Sequence, residues 1–177
     1  MKILLKNATI LNPQSPFHSS QQDILIESGV ITQVSDEIKA DNQNEKNTFY
    51  NLHVSAGWFD PGVSFGEPGY EERETLSNGI KVAAKSGFTK ILLNSNTHPI
   101  PDSSSQIGHL IKRSEGSTTK VYPIGALSIG SNGEQMASLY DMHNEGAIAF
   151  SDHKNAIEKG NLLKIALQYA QSFEGVI

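Results

Sequence analysis

Six histidines, nineteen acidic side chains and no cysteine bound the chemistry open to this chain of 177 residues. Without cysteine there is no thiolate nucleophile, no zinc–thiolate site and no disulfide, so a catalytic metal would have to be held by His, Asp, Glu or a modified Lys. Such side chains follow short apolar runs at three places: Phe59-Asp60, Leu93-Asn94-Ser95-Asn96-Thr97-His98, and Phe150-Ser151-Asp152-His153. In parallel α/β folds the chemistry gathers at the C-terminal ends of strands, and neighbouring ends converge. A metal held by His98, Asp152 and His153 is therefore conceivable, although loop histidines are ordinarily just solvated. His18, His53, His109 and His143 read as structural or surface residues, with His53 expected to be buried at the bottom of a strand. Asp60 precedes Pro61, and Asp-Pro is a turn signal. The Glu71-Glu72-Arg73-Glu74 cluster opens a helical pattern, where acidic residues complement the positive end of the dipole. Gly130 to Gly133 lack both the GxGxxG spacing and the Walker lysine, so they read as a plain loop.

The elements that must position these residues come in two styles. Residues 1–54 are β-rich, with apolar alternation in Lys2–Leu11, the run Ile24-Leu25-Ile26, and Glu27-Ser28-Gly29 leading into Val30–Val34 as a hairpin. They predict a small antiparallel layer. Asp36–Asn47 is polar without apolar periodicity and reads as a connector, the best boundary candidate. From Leu52 onward, apolar runs at Leu52–Phe59, Phe88–Leu93, Lys120–Leu127, Ala147–Phe150 and Gly175–Ile177 recur at the length of a βαβ unit. Between them lie helical patterns over Glu72–Ser86, Asp102–Ser114, Gly133–Glu145 and Asn155–Phe173, the first three stopped by Gly87, Gly116 and Gly146. Continuous apolar strands alternating with helices imply a parallel sheet, either open and doubly wound or part of a (β/α)8 barrel. Four βα units and the start of a fifth strand predict a piece of a longer barrel or a fold that a partner completes. A complete five-stranded open sheet is the alternative, and it would place Asn96 and Asp152 far apart.

A net charge of −5 with no basic cluster leaves no footprint for nucleic acid or an anionic membrane. No apolar run approaches the ~20 residues of a membrane span, and no leader pattern opens the chain, so a cytoplasmic protein with a small-molecule or protein partner is expected.

At Gly57-Trp58-Phe59-Asp60, Glu67-Pro68-Gly69, Glu74-Thr75, Ala83-Ala84-Lys85-Ser86-Gly87-Phe88-Thr89, Asn96-Thr97-His98-Pro99 and Glu145–Asp152 the sequence resembles, in order and at compatible spacing, the dihydroorotases of the amidohydrolase superfamily. The resemblance implies a (β/α)8 barrel beside a small β-sandwich, with residues 1–54 in the sandwich and 55–177 forming the first four βα units. It also implies metal-assisted hydrolysis of a ring amide in pyrimidine biosynthesis. Asn96 falls at the family's substrate-binding amide, and Asp152 at a metal-bridging carboxylate. The departures are sharp: the metal-binding His-x-His aligns with Gly62-Val63-Ser64, and the substrate-clamping Arg aligns with Gly66. Glycine has no donor and a serine hydroxyl is a poor zinc ligand at neutral pH. These replacements predict a non-catalytic, structural homologue. No cofactor is expected unless zinc enters a site rebuilt on His98, Asp152 and His153, and the implied partner is a second copy or aspartate transcarbamoylase. The rival expectation is an active cyclic-amide hydrolase.

Overall fold

The computed structural model describes residues 2–39, 44–47 and 49–177. It divides into two compact units, Met1–Ala56 and Gly57–Ile177. In the first, β1 (Lys2–Leu11) pairs antiparallel with β2 (Gln21–Glu27), and β2 with β3 (Val30–Ser35). The β2–β3 turn is Ser28-Gly29, both at positive φ (51° and 82°), the backbone that lets a two-residue turn follow the right-handed strand twist. The layer is not purely antiparallel as expected. β4 (Asn44–Asn47) and β5 (His53–Ser55) both run parallel to β1, β4 along Lys2–Leu5 and β5 along Thr9–Leu11. Part of the presumed connector Asp36–Asn47 is thus a strand, and the part over residues 40–43 lies outside the described residues. The apolar run Leu52–Phe59 is split: His53–Ser55 serves this first sheet and Trp58 begins the second. His53 is exposed rather than buried, its Nδ1 2.9 Å from the Asn51 carbonyl.

The buried polar centre of this unit is Asp23, 1% exposed. It accepts hydrogen bonds from the backbone N–H of Asn7 (3.0 Å) and Ile38 (2.9 Å) and from Lys6 Nζ. Asn7 sits at φ 54° within the β1–β2 register irregularity, so one carboxylate fixes both that irregularity and the segment leaving β3. Burial pushes the Asp23 carboxyl up, but Lys6 and the two N–H donors outweigh it and hold the group below its ordinary value.

The second unit is a parallel sheet of β6 (Trp58–Val63), β7 (Phe88–Leu93), β8 (Lys120–Gly125) and β9 (Ala149–Phe150), in that spatial order. Each strand is followed by a helix: α1 (Leu76–Lys85), α2 (Ser104–Ser114), α3 (Leu139–Glu145) and α4 (Gly160–Ala170). Strict sequential order decides between the two expected architectures. Right-handed crossovers that always step the same way put every helix on one side, as in a barrel, whereas a doubly wound sheet needs a reversal of strand order. The unit holds four of the eight strands of a closed barrel, and a fifth parallel segment begins where the Phe150 N–H donates to the Val176 carbonyl (2.9 Å).

The helices are shorter than their sequence patterns, for local reasons. Thr75 caps α1 through its hydroxyl (3.2 Å to Asn78 N), so the acidic residues 71–74 lie in the turn before the helix. Ser103 and Gln106 form a capping box on α2. Residues expected to begin α3 instead form a bend over 133–135, with Met136 bridged to Ser128. Two apolar clusters carry the packing. Leu76, Ile80 and Leu110 lie against Ile91, Leu93 and Val121, while Ile107, Leu139, Met142 and Ala166 gather around Leu127 and Phe150. A fully buried side chain of this size contributes roughly 1.5–3 kcal/mol.

Replacing Asp23 by Ala strands Lys6 and two backbone N–H groups. The urea midpoint at pH 7 should therefore fall by the equivalent of about 3 kcal/mol. Because the folded carboxyl is held below its unfolded value, its contribution is present at neutral pH and lost as pH falls through the folded value. The difference between wild type and D23A should shrink in acid, and a difference constant with pH would contradict the assignment.

Candidate functional site

The loops after β6, β7, β8 and β9 emerge at one end of the sheet, and the residues there bond to one another. Gly62 N donates to Asp60 Oδ1 (3.0 Å), so Asp60 makes a side-chain turn, as Asp-Pro suggested. Two residues on, Ser64 Oγ accepts from Asn94 Nδ2 (3.0 Å), joining the ends of β6 and β7. Gly66 is enclosed: a Cβ built on it would lie 1.8 Å from the Tyr70 carbonyl oxygen, and Tyr70 N already donates to the Gly66 carbonyl (2.8 Å). No side chain fits at Gly66 while this loop keeps its path. Next to it, the mostly buried Glu67 carboxylate spans two elements, taking Arg113 Nη2 (2.6 Å) on one oxygen and the first N–H of α1 (2.8 Å) on the other. The Arg113 hydrogen bond is the main reason its carboxyl is held below the ordinary range, against the opposing effect of burial.

Asp152 ends β9 and is 4% exposed. One of its carboxylate oxygens accepts the Ser128 N–H (2.9 Å) and the other accepts the Ser128 hydroxyl. Ser128 Oγ in turn accepts the Gly133 N–H (2.8 Å), so Asp152 closes the loop after β8 onto the end of β9. Ser95 donates its hydroxyl to the Ser151 carbonyl, tying in the end of β7. His153 follows at φ 55°, its N–H on Ser151 Oγ (3.0 Å).

Around these bonds lies a cavity of about 230 Å³ whose wall includes Tyr70, Asn96, Ser131, Asp152, His153 and Lys154. The structure thus brings Asn96, Asp152 and His153 to one place, unlike the arrangement expected of an unrelated open sheet. His98 stands apart from that wall, exposed, its ring 6.4 Å from the Tyr70 ring and its N–H on the Pro68 carbonyl (2.9 Å). Among the described residues no group of three or more His, Asp or Glu is placed to hold a metal ion. The donor set among the described residues does not fit zinc: Gly62 offers no donor, the Ser64 hydroxyl is a poor zinc ligand, and Asp152 belongs to no group of three such side chains.

Sequence reasoning missed Ser128, Ser131 and Lys154. Ser128 stands just beyond the third strand of the unit, a strand end that carries no His or Asp and so gave no signal by residue type. Ser131 carries a positive φ of 51°, a backbone state its residue type does not announce.

Residues 54–177 match the family model described as dihydro-orotase-like. Over 175 residues the chain is 34% identical to a dihydroorotase of Syntrophotalea carbinolica, covering 98% of this chain and 41% of that protein. It is likewise 34% identical over 179 residues to a dihydroorotase of Syntrophus aciditrophicus, covering 100% of this chain and 42% of that protein. The chain therefore spans about two fifths of the length of these relatives. Among solved structures it superposes on a dihydroorotase with TM-score 0.69 at 14% identity, covering 98% of this chain and 49% of that one. An L-hydantoinase (dihydropyrimidinase) from Arthrobacter aurescens gives TM-score 0.64 at 19% identity, over 84% and 32% of the two chains. At such identities these superpositions speak for the fold.

If Asp152 and Ser128 act as one unit, D152N and S128A should each lower stability by about 1–3 kcal/mol, and the double variant should cost clearly less than the sum. A double-mutant cycle by urea denaturation measures this. Additive losses would contradict the coupling.

Proposed function

The chain belongs to the dihydro-orotase-like family, and from that premise we propose that it is a non-catalytic, structural dihydroorotase homologue of pyrimidine biosynthesis. The observation that carries this reading is the residue pair Gly62 and Ser64 at the end of β6. The positions of the implied His-x-His hold a glycine, which has no donor, and a serine, whose hydroxyl is a poor zinc ligand and here accepts from Asn94, while the retained Asp152 is hydrogen-bonded to Ser128. Hydrolysis of a ring amide needs a nucleophilic water, which in a metal hydrolase is made available near neutral pH by the ion. The described residues offer no donor set for that ion.

Loss of the charge-assisted grip points the same way. A guanidinium binds a carboxylate through two parallel hydrogen bonds, and Gly66 is packed too closely against the Tyr70 carbonyl to be replaced by such a side chain in the present loop. What remains is a scaffold: β/α units for assembly and a first sheet, residues 1–54, that forms one part of a β-sandwich. Its partners are a second copy of the chain or aspartate transcarbamoylase, and its compartment is the cytoplasm. No helix among the described residues is long and apolar enough to cross a membrane. The competing reading is an active, metal-dependent dihydroorotase or related cyclic amidohydrolase, favoured by the names of the relatives.

Metal analysis and dihydroorotate hydrolysis on the purified protein supplied with zinc separate the two. The expected result is less than a tenth of an ion per chain and no turnover above the uncatalysed rate. One or two ions per chain together with turnover would establish the enzyme and overturn the structural role. Light scattering, with and without aspartate transcarbamoylase, tests the assembly, and a monomer in both cases would count against it.

A further inference from the structure

Residues 81–120 carry six basic side chains, Lys81, Lys85, Lys90, Lys112, Arg113 and Lys120, against Asp102 and Glu115. That is a net +4 within a chain of −5, which leaves −9 on the rest. Spaced along the sequence these cations form no run, but the fold gathers three of them. Lys81 and Lys85 from α1 and Arg113 from α2 line a groove of about 390 Å³ whose wall includes no carboxylate. Ser77, Ser117 and Thr118 add exposed hydroxyls, and Ile80 and Ala84 an apolar part of the wall.

Helix ends account for part of this charge. Lys85 and Arg113 stand in the last turns of α1 and α2, where cations complement the negative end of the dipole. Lys81 lies a turn too early for that, and it sits four residues before Lys85, a like-charged spacing that weakens a helix. Neither lysine forms an ion pair among the described residues. Arg113 gives one nitrogen to Glu67 and, with its side chain 53% exposed, keeps further N–H donors. The repulsion within α1 is relieved when acidic groups from outside the chain enter the groove.

The geometry selects among anions. Both helices present their C-terminal carbonyls towards this end, so a compact phosphate pressed against them meets the wrong end of each dipole. The wall holds no aromatic ring on which a base could stack, and the chain's net charge repels a long polyanion such as nucleic acid. Carboxylates on a peptide fit better. Residues i and i+2 of an extended chain lie roughly 7 Å apart on one side, close to the roughly 5–6 Å between side chains one helical turn apart. We propose that the groove lined by α1 and α2 is a docking surface for an extended acidic segment of a partner protein, whose alternate carboxylates pair with Lys81 and Lys85 while Arg113 takes a third from the facing helix. The groove shares no wall residue with the strand-end cavity, so it serves whether or not the chain is catalytic.

The test is an NMR titration of the isotope-labelled full chain with a peptide of alternating Glu and Ser, its Gln-for-Glu counterpart, inorganic pyrophosphate and oligodeoxythymidine. It is run at low salt and again at about 0.3 M salt, where charges farther apart than roughly 6 Å are screened. Saturable shifts with the acidic peptide, confined to the amides of 77–85 and 113–118 and weakened by salt, are expected, with none for the Gln peptide. K81Q/K85Q should weaken binding about fivefold. Its melting temperature should equal or exceed that of wild type, because a like-charged pair is gone, so lost binding is not lost folding. K164Q, which removes a lysine of α4 outside the groove wall, should bind as wild type does. No saturable binding of the acidic peptide, equal shifts with the Gln peptide, or unchanged affinity in K81Q/K85Q would overturn the proposal. Tighter binding of pyrophosphate or of oligodeoxythymidine at the same amides would overturn it as well, in favour of a phosphate or a nucleic-acid site. Turnover of dihydroorotate with peptide binding intact would sink the non-catalytic reading alone and uphold the docking surface.

Discussion

Just beyond β9 both carboxylate oxygens of Asp152 accept hydrogen bonds from a single neighbour, Ser128. The Ser128 N–H and hydroxyl take one oxygen each, and through Ser128 the loop after β8 is closed onto β9. The burial of the group and the path of residues 128–133 both depend on those bonds. Buried at 4% exposure, the carboxylate would be costly unpaired. Serine supplies two donors from one residue, the cheapest arrangement in chain length.

The parallel half of the fold was legible because each strand there is an uninterrupted apolar run and a Gly stands where a helix must end. Gly87, Gly116 and Gly146 all adopt positive φ. Strand order was not legible from the sequence, yet it alone separates the barrel from the doubly wound sheet. The first sheet was misread in part, because parallel pairing of β4 and β5 with β1 joins segments some 40 residues apart and leaves no mark in local periodicity. The run Leu52–Phe59 looked like one strand because composition does not change across Ala56-Gly57, where the chain passes from one compact unit to the next.

The candidate site was legible by residue type and illegible by bonding. Asn96, Asp152 and His153 were singled out as polar residues after strands, and they do border one cavity. That Asp152 is engaged could not be read, since its partner Ser128 is an unremarkable residue 24 positions away. Gly66 shows the same limit from the other side. As a letter it records only that a side chain is missing, whereas the structure shows that the Tyr70 carbonyl has moved into the space, which makes restoration by one substitution sterically closed.

β6 lies at the end of its sheet, with Trp58 and Phe59 65% and 50% exposed. The Trp58 N–H donates to the Gly87 carbonyl (3.0 Å), and the register with β7 shifts between Trp58 and Phe59 and again between Asp60 and Val63. An exposed apolar border of this kind ordinarily recruits further strands into runaway stacking. In an eight-stranded barrel, of which this unit holds four strands, that border is where the ring closes. The exposed Trp58 and Phe59 thus lie along a seam, and a ring that closes there leaves no edge for fibrillar growth.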